Sequence, residues 1–126
     1  MNAKEHVQTA REFLEASDRE FEAGDKFQAS EKLWGAATHA LMAVMQEDGQ
    51  VGKNHRELRR AVRRLAKERD DPFIRIGFEV AEKFHANFYH GFMEDFQISE
   101  GREDVREFVE RLLPGPSRWT AGINQK

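Results

Sequence analysis

Residues 79–96 read EVAEKFHANFYHGFMEDF, from Glu79 to Phe96. With the residues just before them they set a stripe: Phe73, Gly77, Ala81 (or Val80), Phe84, Phe88, Phe92 and Phe96 recur at steps of three and four. That spacing lines one face of an α-helix and fits no strand, whose period is two. Asp70 and Asp71 precede Pro72. An aspartate at the N-cap accepts a hydrogen bond from an unpaired backbone N–H, and proline is tolerated at the first helical position. The pattern predicts one long helix from about Pro72 to about Asp95.

The same stretch carries the candidate site. His85 and Tyr89 stand four apart and share a face, while Asn87 and His90 stand three apart and share another. Residues five apart on a helix are separated by roughly 140°. His85 and His90 therefore flank a strip rather than grip one metal ion. Histidine titrates near neutral pH, so His85, Asn87 and His90 are the candidates for acid–base catalysis. The plainer alternative puts His85 and Tyr89 at the rim of an aromatic core, hydrogen-bonded to a neighbouring helix. Lys83, Tyr89 and His39 are the candidate ligand-binding residues.

Working outward, each segment reads as a helix. Residues 2–23 carry Val7, Ala10, Phe13, Leu14, Ser17 and Phe21 in a helical stripe, opened by Asn2 and Glu5 in a capping-box spacing. Gly24 suits the C′ position that ends a helix, and Asp25 with Gln28 opens the next. That second helix runs to about Gln46 and is apolar on most sides, with Gly35, Ala36, Ala37, Ala40 and Ala43 allowing close approach. Trp34 and His39 lie within it and read first as core residues. After the two-glycine loop 47–53, Asn54 with Glu57 opens a third helix to about Arg69, with Leu58, Ala61, Val62, Leu65 and Ala66 inward. Ser99 is the expected cap of a fifth helix, which Pro114-Gly115-Pro116 ends. Residues 1–113 form one domain on this reading, and 114–126 a short irregular tail that holds Trp119.

Charge is distributed unevenly. The 126 residues carry a net charge of −3. Yet residues 53–69 hold eight basic residues against two acidic ones, a local excess of +6. Arg56, Arg59, Arg60, Arg63, Arg64 and Lys67 make up the basic patch, with Arg56, Arg60, Arg63 and Lys67 in a continuous ridge. Such a ridge binds phosphates, nucleotides or RNA, or pairs with an acidic surface. Glu94, Asp95, Glu100, Glu103, Asp104, Glu107 and Glu110 supply an acidic counterpart within the chain or on a second subunit. No aromatics interleave the ridge, so it lacks the stacking platforms of single-strand binders.

Composition narrows the classes. Hydrophobic residues make up 39% and charged ones 34%, too apolar and periodic for disorder. There is no cysteine, hence no disulfide, thiolate metal site or cysteine nucleophile. Met1 is followed by a polar stretch, so no signal peptide is expected. No run nears the roughly 18 apolar residues of a membrane span, and a cytoplasmic protein is expected. Glu82-x-x-His85 is half of a di-iron signature whose second half is missing. No P-loop, dinucleotide fingerprint or HExxH is present, so no cofactor and no metal are expected.

The helix order resembles a HEPN-type bundle, and within that superfamily the PaREP1-like branch. The resemblance is carried by Ala29–Ala37 through Ala43, by Asn54–Leu58, and most specifically by Ala81–Tyr89, and it spans about residues 5–112. It implies an all-α, up-and-down four-helix bundle with a fifth C-terminal helix, often forming a homodimer. Many HEPN proteins are metal-independent ribonucleases that use an Arg and a His four to six residues apart. Here His90 matches the His, but His85 stands where the Arg would be, and Lys83 keeps only a positive charge. The reading that follows is a non-enzymatic, dimeric binding module for a partner protein or an anionic ligand. The alternative is a HEPN-type ribonuclease or RNA-binding protein.

Overall fold

A computed structural model describes residues 1–113, which form five helices and no strand. Residues 114–126, with Trp119, lie outside the described residues. The helices are α1 (Ala3–Glu22), α2 (Lys26–Glu47), α3 (His55–Glu68), α4 (Phe73–His90) and α5 (Asp95–Leu112). The all-α class is as expected.

Capping residues set most of the boundaries. The Asn2 side chain accepts from the Glu5 N–H, and the Glu5 carboxylate accepts from the Asn2 N–H, both at 2.8 Å. Gly24 sits at φ 86 between α1 and α2, where a side chain would be strained. Asp25 accepts from Gln28 N at 2.9 Å. Asn54 accepts from Glu57 N at 3.0 Å, while Glu57 itself reaches one residue further back, to Lys53 N at 2.7 Å. At the start of α4, Phe73 N donates to Asp71 Oδ1 at 3.2 Å.

The end of α4 departs from expectation. Gly91 takes the left-handed conformation (φ 61, ψ 43) and stops the helix after His90. The aromatic stripe therefore does not continue to Asp95. Phe92 and Phe96 fall outside it and are 50% and 64% exposed. The fifth helix starts at Asp95, not after Ser99. It is capped by Glu94 and Gln97, each side chain accepting from the other residue's N–H. The apolar face of α4 is instead Ile74, Gly77, Phe78, Ala81 and Phe84, all buried.

α2 is the central helix and packs against each of the other four. Its alanines bring neighbours close: Ala29, Ala36, Ala37 and Ala40 are fully buried, and the Phe13 ring of α1 lies against Gly35. Contacts also fix directions. Ser30 meets Asn87 and Trp34 meets Phe78, so α2 and α4 are antiparallel. Trp34 meets His55, and Asp48 at the end of α2 meets Arg64, so α2 and α3 run the same way. The expected strict up-and-down order is thereby corrected. The connection 48–54 returns along α2 before α3 begins, held by Arg64 donating to Gln50 at 2.6 Å.

α4 and α5 pack by reciprocal insertion. Phe108 of α5 lies over Gly77 of α4, and Phe84 of α4 lies over Gly101 of α5. Both rings are fully buried, each contributing about 2–3 kcal/mol of transfer free energy. Arg111, held by Asp71 and Glu107 at 2.8 Å and lying over the Phe73 ring, ties the end of α5 to the α3–α4 turn. Arg102 and Arg106 pair with Asp18 across to α1.

Candidate functional site

The antiparallel register of α2 and α4, with α3 beside them, builds a cluster around Trp34. Its indole packs against His85 at 4.8 Å between ring centroids and against His55 at 5.1 Å. Each imidazole is held by a carboxylate. His85 Nδ1 lies 3.0 Å from Glu31, and His55 Nε2 lies 2.6 Å from Glu82. A carboxylate accepts, so it fixes the proton on the nitrogen facing it. His85 Nε2 and His55 Nδ1 are then the ring nitrogens left to act as bases. Glu82 also accepts from Arg59 Nε at 2.7 Å. Tyr89, 65% exposed, meets the His85 ring edge-on.

The three expected catalytic residues do not converge. His85 belongs to the Trp34 cluster. His90 is exposed at the last turn of α4, its ring 6.5 Å from Tyr89. Asn87 is 2% exposed. Its amide donates to Ser30 Oγ at 3.1 Å, and its carbonyl oxygen accepts from Met93 N at 2.8 Å. Asn87 thus pins the α4–α5 connection to α2. Replacing it with alanine leaves the Met93 N–H without its partner, a cost of about 2 kcal/mol. Asn87→Ala is expected to melt roughly 5–10 °C lower while ligand binding below its melting point is unchanged. Scanning calorimetry with a binding titration checks both.

His39 lies apart from this cluster, on the α1 side of α2. Its Nδ1 faces His6 Nδ1 at 2.9 Å, so one ring donates and the other accepts. Burial lowers the pKa of both rings below 6.5. The N-terminal ammonium lowers His6 further, and His6 lowers His39. The folded state therefore disfavours protonation relative to the unfolded chain. Stability is fully present above about pH 6.5 and is lost as pH falls through that value. The melting temperature of the wild type should drop between pH 7.5 and 5.5, and His39→Gln should show a smaller drop. Equal slopes in the two proteins would refute the assignment.

The basic patch divides into two kinds of cation. Arg59 is bound to Glu82, and Arg64 to Gln50, Asp48 and Glu68. Arg56, Arg60, Arg63 and Lys67 are exposed and make no ion pair among the described residues. The acidic residues of α5 do not reach them. Asp95 pairs with Lys26 and Glu107 with Arg111. Beside the ridge lies a cleft of about 210 Å³ between α3 and α4. Val62 and Phe78 form its apolar floor, and Arg59, Arg63, Arg75, Glu79 and Glu82 its rim.

Lys83 faces a different neighbour. It lines a hollow between α4 and α5 with Phe92, Phe96, Glu100 and Asp104. The Asp104 carboxyl is pushed above its usual pKa by burial and then by Glu100 and Glu103.

Sequence reasoning missed Glu31, His55, Arg75, Glu79 and the role of Glu82 and Trp34. Glu31 and Trp34 stand three apart, as do Glu82 and His85, so each pair was visible as one turn of helix. Only the register of α2 against α4 joins them. Among the described residues no group of three or more His, Asp or Glu is placed to hold a metal ion. Among them, too, no helix is long and apolar enough to cross a membrane.

A model of the archaeal PaREP1/PaREP8 family matches residues 5–109. No curated protein and no solved structure matches the chain.

Proposed function

The chain belongs to the archaeal PaREP1/PaREP8 family, and from that premise we propose that it is a non-enzymatic binding module whose anionic ligand lies along α3. The observation that carries this reading is the line Arg56, Arg60, Arg63 and Lys67. Successive members are three or four residues apart, so like charges face each other at every turn. Each such pair costs a few tenths of a kcal/mol. The other cations of α3, Arg59 and Arg64, are neutralised locally, and these four are not. A bound line of negative charge relieves the repulsion. The HEPN resemblance belongs to this reading as part of the proposal. Titration with inorganic polyphosphate at low salt tests it, with binding expected and no binding overturning it.

We propose further that two copies associate through the far end of the molecule. Phe27, Tyr89, Phe92 and Phe96 are exposed there, and Phe27 lies beside Gly91. Lys83 and the acidic pair Glu100 and Asp104 line one hollow without forming an ion pair. A two-fold axis lets Lys83 of each copy meet those acids on the other. Light scattering should give a dimer, with Phe92→Glu a monomer; a monomeric wild type at micromolar concentration would exclude it.

The alternative is metal-independent RNA cleavage, and the two carboxylate-held imidazoles at Trp34 favour it. The pair would be His55 and His85 rather than His85, Asn87 and His90. Incubation of a mixed RNA pool with pure protein and a chelator decides the matter. Cleavage that disappears in His85→Ala supports the alternative, and an intact pool dismisses it.

A further inference from the structure

We infer that the cleft between α3 and α4 seats the phosphate group of a small phosphomonoester whose carbon skeleton carries a hydroxyl or amino group. This rests on the anionic-ligand reading of α3, because Arg63 belongs both to the ridge and to the rim of the cleft. Two helices supply the free cations: Arg63 comes from α3 and Arg75 from the first turn of α4, while Arg59, one turn before Arg63, is taken up by Glu82. Arg63 and Arg75 have no carboxylate partner among the described residues. Guanidinium groups present paired N–H donors matched to phosphate oxygens. The floor of Val62 and Phe78 offers those donors no competing acceptor.

The carboxylates on the rim choose the rest of the ligand. Glu82 is held by His55 and Arg59 and is electrically compensated. Glu79 is exposed and forms no ion pair among the described residues, although Arg75 is one turn away on the same helix. An anion that offered nothing to Glu79 would be repelled by it. A ligand with a hydroxyl or amino hydrogen beside its phosphate satisfies Glu79 while Arg63 and Arg75 hold the oxygens. Size limits the skeleton. At about 210 Å³ the cleft is smaller than the 300–1,000 Å³ of sites that enclose drug-sized ligands. The phosphate and a short hydroxylated carbon chain fit, and a nucleobase stays outside.

The experiment is calorimetric titration of the full chain with inorganic phosphate, glycerol 3-phosphate, glycerol and polyphosphate. Glycerol 3-phosphate should bind one per chain, at least fivefold tighter than inorganic phosphate, and glycerol not at all. Arg75→Gln should weaken glycerol 3-phosphate at least tenfold and leave polyphosphate binding within twofold. Glu79→Gln should remove the preference for the ester over inorganic phosphate. Both variants are at exposed positions, so melting temperature serves as the folding control. Glycerol 3-phosphate binding that is absent, or indifferent to Arg75→Gln, overturns the cleft assignment. If polyphosphate also fails to bind, the reading of the α3 ridge falls with it; if polyphosphate binds, only the cleft is lost.

Discussion

Replacing Gly77 with valine is expected to destabilise the protein by about 3 kcal/mol, at the top of the usual range for an overfilled core. An ideal Cβ at Gly77 would lie 2.7 Å from Phe108 Cβ and 2.9 Å from its ring. The nearest atom is bonded to the α5 backbone and cannot swing aside. Glycine inside a helix normally costs up to about 1 kcal/mol relative to alanine. On propensity alone, even Gly77→Ala would stabilise; the contact with Phe108 reverses the sign. A loss of about 3 kcal/mol corresponds to roughly 10 °C in melting temperature for a chain of this size. Pairing Gly77→Val with Phe108→Gly, which removes the close Cβ as well as the ring, tests the cause. The double variant should lose clearly less than the sum of the single losses, because every side-chain atom that clashes is gone. Additive losses would mean that α4 and α5 do not meet at this point.

The second large effect concerns binding. Arg60→Glu combined with Arg63→Glu should weaken polyphosphate binding at least a hundredfold. Each change removes a contact to the polyanion and adds a repulsion of the same range, about 1–1.5 kcal/mol per site. Neither side chain is buried or paired, so the fold should keep its stability to within about 0.5 kcal/mol. The control is Arg59→Gln with Glu82→Gln, which removes a paired cation together with its partner. That variant should retain most of the polyphosphate affinity. Equal losses in the two variants would show that charge on α3 acts without regard to position.

Local structure was legible in the sequence wherever a single residue type is required. Asn2, Asp25 and Asn54 cap helices because their side chains reach the N–H groups of the first turn, and Gly24 permits the turn between α1 and α2. Gly91 ends α4, but the aromatic period running on through Phe92 and Phe96 hides that stop in the sequence. That period is a coincidence: Phe92 lies in the connection after α4, and Phe96 lies on α5, which folds back along α4. The path of the chain from Asp48 to Asn54 was not legible, since loop residues carry no periodicity that would show α3 turning parallel to α2. The site shared this fate. His85 was found from its own helix, but its partners Glu31 and Trp34 come from α2. Asn87 reads as a catalytic candidate because an amide on the inner face of a helix looks the same in sequence whether it meets substrate or, as here, Ser30 and Met93.

The most direct measurement is the salt dependence of polyphosphate binding by the wild-type chain. Four unpaired cations on α3 release the counterions of about four phosphates. The logarithm of the affinity should then fall against the logarithm of salt concentration with a slope of roughly −3, taking the coefficient for single-stranded polymers. In Arg60→Glu with Arg63→Glu the slope should approach zero. A wild-type affinity that does not change between 50 and 300 mM salt, or no binding at the lower concentration, would contradict the assignment of α3 as the ligand-bearing face.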